Sequence, residues 1–176
     1  MMMPLSESAI RRSVRALRHH EIDAVYPLVS ICRPAVSLAD WRRFATDRLG
    51  HVEGPRKRSG VMVAALPDQH GLAGAVFCGV FAYRIETGLE GDRLIVVDEV
   101  MAPHVVSLNL LSALLIESSL AEAQAYDCRQ LSIAVPWSSD PRSAASVLGQ
   151  ACKARGLSAE CLRYEKTLEV ERALPV

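Results

Sequence analysis

The pattern of apolar positions changes period between Arg93 and Tyr126. Leu94-Ile-Val-Val-Asp-Glu-Val-Met101 is a nearly continuous apolar run, which predicts a buried strand. Ala102-Pro103 ends it. From Ser107 to Tyr126 the spacing becomes helical, with Leu110, Leu111, Leu114, Leu115 and Leu120 as the residues expected inside. Upstream, Val14-Arg-Ala-Leu17 alternates as a short strand does. Ile22, Val25, Tyr26 and Val29 then fall on one helical face, although Pro27 implies a late start or a kink there. Ser37-Leu-Ala-Asp40 reads as an N-cap for a second helix, with Leu38, Trp41, Phe44, Ala45 and Leu49 as its apolar stripe and Gly50 as its stop.

Two further apolar runs, Val61 to Leu66 and Ala75 to Ile85, are joined by turn material from Pro67 to Gly74 and followed by a turn from Thr87 to Asp92. With the Leu94–Met101 strand they make an antiparallel meander. Gln130-Leu-Ser-Ile-Ala-Val135 is the next strand. A helix precedes it, so it should lie parallel to Leu94–Met101 through a right-handed crossover. Ser138 to Pro141 reads as a loop, Arg142 to Arg155 as a last helix closed by Gly156, and Leu162 to Val170 as a final strand. Residues 1–12 read as a flexible tail and 13–172 as a single domain. The fold class expected is α/β (α+β): a mixed, mostly antiparallel sheet flanked by helices, with one parallel βαβ crossover.

Composition narrows the field. Half of the residues are hydrophobic and the net charge is zero, which argues against nucleic acid as a partner, since phosphate neutralisation needs a basic excess. The five cysteines are odd in number and lack a C-x-x-C pair, so they suit a reducing compartment and form neither a disulfide framework nor a zinc site. Met1-Met-Met-Pro-Leu-Ser-Glu-Ser has no cationic segment followed by an apolar run, and the apolar stretch from Leu108 to Ile116 is too short for a membrane span. The expectation is a cytoplasmic protein with no membrane partner.

The chemistry-bearing residues concentrate where the buried strand meets the helix. Asp98 and Glu99 are acids in an apolar strand, each suited either to an ion pair or to proton abstraction from an amine. Simple alternation puts them on opposite faces, so at most one would reach a cleft. His104 could face an anion or be a solvated loop residue, and Ser107 and Asn109 at the helix start could contact a phosphate or simply cap. Arg56-Lys57-Arg58 reads as a solvated loop or an anion-attracting one, and Tyr83, Arg84 and Glu86 as cross-strand pairs or pocket lining. No nucleophile elbow, Walker loop, dinucleotide fingerprint or metal-ligand spacing occurs.

The element order resembles that of the GNAT family, the GCN5-related N-acetyltransferases, from about Val14 to Leu168. Met101-Ala-Pro103 before the Leu114-Leu115 helix is similar to the family's V-x-P, pyrophosphate loop and leucine-rich helix. Ala154-Arg-Gly-Leu157 with Arg163-Tyr-Glu-Lys-Thr-Leu168 is similar to its usual ending. The resemblance implies an acyl-CoA-dependent N-acyltransferase that moves an acetyl group from acetyl-CoA to the amine of a small molecule or peptide. It implies no metal, and a homodimer is compatible with it. The cofactor residues implied are Val100, Met101 and Ala102, pairing with the pantetheine arm, and Val106, Ser107, Leu108, Asn109, Leu110 and Leu111 around the pyrophosphate.

The chain departs from the family's R/Q-x-x-G-x-G/A loop. The arginine or glutamine position falls on His104, Val105 or Val106, most simply Val106, and the glycine positions on Ser107, Asn109 and Leu111, the last of which would be bulky near an anion. The family's tyrosine, four residues before the last helix's glycine, falls on Cys152. The catalytic residues implied are Asp98 or Glu99 as base and Cys152 as proton donor. The departures favour an alternative: a catalytically inactive GNAT-fold binding or regulatory module.

Overall fold

The computed structural model describes residues 14–50, 59–66, 76–102, 108–135 and 144–158. Alternating apolar runs give five strands: β1 (Val14–Ala16), β2 (Ser59–Leu66), β3 (Val76–Thr87), β4 (Arg93–Met101) and β5 (Gln130–Ile133). The helical periods give α1 (Ile22–Cys32), α2 (Leu38–Leu49), α3 (Leu108–Ala125) and α4 (Ala144–Ala154). The strands form one sheet in the order β1-β2-β3-β4-β5. Every pairing is antiparallel except β4 with β5, which is parallel because α3 carries the chain back between them. The mixed sheet and its βαβ crossover agree with the expected fold class. The proposed tail, the Pro67–Gly74 turn, the Ser138–Pro141 loop and the Leu162–Val170 strand lie outside the described residues.

Each sheet face carries its own core. On one face Val61, Val63, Val80, Ala82 and Met101 pack with Val25, Val29, Trp41 and Ala45 from α1 and α2. On the other, Met62, Phe81, Tyr83, Ile85, Ile95 and Val97 pack with Leu115, Ile116 and Ala123 of α3 and Leu148 and Cys152 of α4. Burial of apolar surface on both sides makes this a three-layer arrangement. Trp41 is central to the first layer. It is 1% exposed, and its indole N–H donates to the Ile22 carbonyl at 2.7 Å, which ties α2 to the start of α1.

Local sequence sets most element ends. The Ser37 hydroxyl accepts from the Asp40 N–H at 3.1 Å and starts α2. Gly156, at φ 78°, closes α4 with Gly156 N–H donating to the Lys153 carbonyl and Leu157 N–H to the Cys152 carbonyl. Two details differ from expectation. A 3-10 turn (His19–Glu21) precedes α1, which starts at Ile22 and still continues through Pro27. In α3 the inward line includes Ile116, Ser119 and Ala123, while Leu120 is 40% exposed. Ser119 is tolerated there because its hydroxyl donates back to the Leu115 carbonyl at 2.7 Å.

The edge strand β1 is held to the turn after it by a forked ion pair. Both guanidinium ends of Arg15 reach the Glu21 carboxylate at 2.6 Å, and the Arg18 N–H adds a third donor at 3.1 Å. The hydrogen bond from Arg15 chiefly holds the Glu21 carboxyl below its ordinary value of 4.5, against the opposing effect of burial. A group lowered on folding stabilises above its unfolded pKa and loses that stabilisation as pH falls through the folded value. The stability gap between wild type and Glu21→Gln, read from urea midpoints, should therefore be full at neutral pH and shrink steadily once pH drops below 4.5.

Candidate active site

The sheet stops being regular at Asp98. Val97 pairs with Tyr83 and Glu99 with Ala82, so Asp98 is an extra residue on β4 with no opposite number on β3. This is a β-bulge, with two residues facing one. It changes the pleat. Ile95 and Val97 face the α3–α4 layer, whereas Met101 faces the α1–α2 layer, although Val97 and Met101 would share a face in a regular strand. Asp98 and Glu99 both turn toward the α1–α2 side, where they meet Arg48 of α2 and Arg33 just past α1. The expectation that alternation separates the two acids is thus corrected: the extra residue brings them onto one face.

The two carboxylates differ in environment. Asp98 is 12% exposed, and its Oδ2 accepts from Arg48 at 2.6 Å and also from Arg84 of β3. Asp98 Oδ1 and Arg48 Nη1 are buried with no hydrogen-bond partner among the described residues. Arg48 is further fixed over the Phe44 ring, 5.0 Å from its centroid. Glu99 is 38% exposed and among the described residues pairs with the similarly open Arg33, at a long 3.4 Å. A loose pair of that kind contributes little, and it leaves Glu99 accessible.

The same irregularity parts β4 from β5. Their parallel ladder runs from Leu94–Gln130 to Val97–Ile133, and the last bond is Ala134 N–H to the Val97 carbonyl at 2.8 Å. Beyond it β4 continues along β3 to Met101, paired with Val80, and no backbone among the described residues pairs with its other edge. Val100, Met101 and Ala102 thus lie beyond the end of the β4–β5 ladder; on the β5 side, a Cβ on Gly149 of α4 would stand 3.9 Å from Val135. The first turns of α3 abut the same place. Leu111 packs with Ala64 and Cys78 and against Ala102.

Leu111 is 7% exposed, and its Cδ2 is 3.5 Å from where a Cβ on Gly79 would lie, so its side chain points onto the sheet. Its bulk is directed away from the helix start. Leu108, Asn109 and Leu110 form the first turn of α3 by backbone, where free N–H groups gather. Val106, Ser107, His104 and Arg56-Lys57-Arg58 lie outside the described residues. Cys152 is 8% exposed in the α3–α4 core, and burial pushes its thiol up. Tyr83 also belongs to that core rather than to a pocket. Its hydroxyl donates to Glu122 at 2.8 Å, its ring lies over Gly60, and burial with the Glu122 carboxylate raises its pKa far above the ordinary value.

Comparison of the structure shows what this architecture is. A probable acetyltransferase superposes at a TM-score of 0.65 with 14% identity, over 91% of this chain and 99% of that one. A ribosomal-protein-alanine N-acetyltransferase from Brucella melitensis biovar Abortus 2308 gives 0.65 with 13% identity, over 88% and 98% of the two chains. This is the fold of the GCN5-related N-acetyltransferases. A protein from Bacillus halodurans C-125 described as a transcriptional regulator also superposes on this GNAT fold, at 0.64 with 10% identity over 88% and 98%. No protein-family model and no curated sequence matches the chain.

The sequence reading singled out Asp98, Glu99 and Val100 to Ala102, which the structure places together at the end of β4, and it passed over Arg33 and Arg48. Their only signal was two adjacent acids in an apolar strand, which demand cations from elsewhere in the fold. Among the described residues, no cluster of three His, Cys, Asp or Glu groups is placed to hold a metal, and no helix is long and apolar enough to cross a membrane. Since Leu111 fills core volume, Leu111→Ala should lower unfolding free energy by about 2–5 kcal/mol in urea denaturation.

Proposed function

We propose that this protein is an acyl-CoA-dependent N-acyltransferase that moves an acetyl group from acetyl-CoA to an amine. The observation that supports this most is the end of the β4–β5 ladder at Val97, beyond which no described backbone pairs with the outer edge of Val100 to Ala102, next to the start of α3. An extended arm bearing amides fits such an edge as an added strand, because exposed backbone N–H and C=O groups seek partners in register. The pyrophosphate belongs at the backbone of residues 107–111, where a helix start favours anions. Acetyl-CoA supplies an already activated acyl thioester, so the protein's contribution is largely positioning.

Glu99 is assigned as the base. It shares the α1–α2 face with Asp98, but it is the more open of the two and is not locked by short ion pairs. Its carboxylate accepts the proton from the acceptor's ammonium, and the neutral amine attacks the acyl carbon. The C–S bond breaks as the amide forms, and the amine's second proton neutralises the departing CoA thiolate. The acceptor then lies against the α1–α2 side, near Arg33. Cys152 has no assigned step here, since its buried, raised thiol is a poor proton donor.

Isothermal titration with acetyl-CoA, and with free CoA alongside, tests the binding half. Micromolar affinity is expected. Absence of heat and of thermal shift at millimolar ligand would overturn the reading and leave a GNAT-fold binding or regulatory module. For the chemical half, thiol release in an amine screen should fall about 10²- to 10⁴-fold in Glu99→Gln, the usual span for loss of a general base. Acetyl-CoA affinity of that variant should be unchanged.

A further inference from the structure

We infer that Asp98, with Arg48 and Arg84, is a positioning clamp that sets the β4 bulge and thereby the parting of β4 from β5 beside Val100–Ala102. Three observations lead there. Asp98 is the one residue of β4 between Arg93 and Met101 that the β3 ladder skips, so its backbone needs another anchor. Its side chain supplies that anchor, because one carboxylate oxygen is tied to α2 through Arg48 and to β3 through Arg84. The clamp is also an inefficient way to gain stability. Asp98 Oδ1 and Arg48 Nη1 are buried without partners among the described residues, and ion pairs removed from water in this way are often no better than apolar packing of the same volume.

The geometry gives the clamp a purpose that burial alone does not supply. Val97 is the last β4 residue paired with β5, and the next residue is Asp98. A cation from α2 and another from β3 draw Asp98 toward the α1–α2 face, away from β5. The strand therefore leaves β5 where the arginines hold it. Met101 reaches the α1–α2 core only through the same added residue, so the clamp and the core agree on one register. Asp98 acts through the backbone that follows it and touches no reacting atom.

The double variant Arg48→Met/Asp98→Leu replaces the pair by apolar groups of similar reach, and Asp98→Asn keeps the shape while removing the charge. Hydrogen exchange by NMR is read at the amides of residues 99–101 and of Ala134. The double variant is expected to keep its melting temperature near the wild type's while exchange at those amides rises about tenfold or more, since local opening is read residue by residue. Asp98→Asn should show the same effect, smaller, and decides the matter if the double variant does not fold. Unchanged exchange at residues 99–101 and Ala134 in the folded variants overturns the inference. An equal rise throughout the sheet also overturns it, because that marks general destabilisation.

Titration adds a second readout that rests on the proposed function: acetyl-CoA Kd should rise by about tenfold or more in Asp98→Asn, as loss of a preformed strand edge weakens binding. If the wild type binds no acetyl-CoA, the function fails while the exchange data still decide the clamp.

Discussion

One surplus residue in β4 governs the site. A strand that paired regularly with both neighbours to its end would present no free backbone and would send Asp98 and Glu99 to opposite faces. With Asp98 added, the ladder to β3 closes around it, the ladder to β5 ends at Val97, and both acids face α1 and α2. Among the described residues, backbone hydrogen-bonding capacity is thereby left open on the β5 side of β4 beyond Val97. Exposed edges are normally hidden or charged, and under the proposed function this edge receives a ligand that behaves as a strand.

The surrounding structure is arranged to tolerate that irregularity. Two separate cores, one on each face, hold β2, β3 and the first half of β4 firmly, so the disturbance is confined to the last few residues of one strand. Met101 closes the strand by dropping into the α1–α2 core at 5% exposure, and Leu111 seats the start of α3 against Ala102. The electrostatic arrangement follows from the same geometry. A buried carboxylate requires cations, and Arg48 and Arg84 come from the two elements that face it. Glu99 stays near solvent with a weaker partner. Two adjacent acids thus differ both in depth and in the partners they meet.

The fold neighbours carry both kinds of description, acetyltransferases and a transcriptional regulator, on one scaffold at low identity. Fold leaves chemistry open in such a case, and the proposed function rests on the strand edge, the helix start and the exposed acid. Missing glycines at Ser107, Asn109 and Leu111 weigh less once Leu111 is seen to point onto the sheet, since only its backbone belongs to the helix start.

Local pattern alone determined the elements and most of their ends: the strand runs, the Ser37 cap, the Gly156 stop and the parallel return after α3 all follow from short-range periodicity and turn chemistry. It also marked Asp98 and Glu99 as unusual, because acids in an apolar strand stand out. It misplaced Leu120 and passed over Ser119, since neighbouring turns of an apolar helix offer several competing inward stripes and packing against the sheet selects one. Which way Asp98 and Glu99 point was decided only by tertiary structure. A bulge depends on register against β3 and on partners such as Arg48, 50 residues away in the chain, and no local spacing encodes either. The open edge has the same origin, because whether a backbone group lacks a partner depends on every strand that passes it.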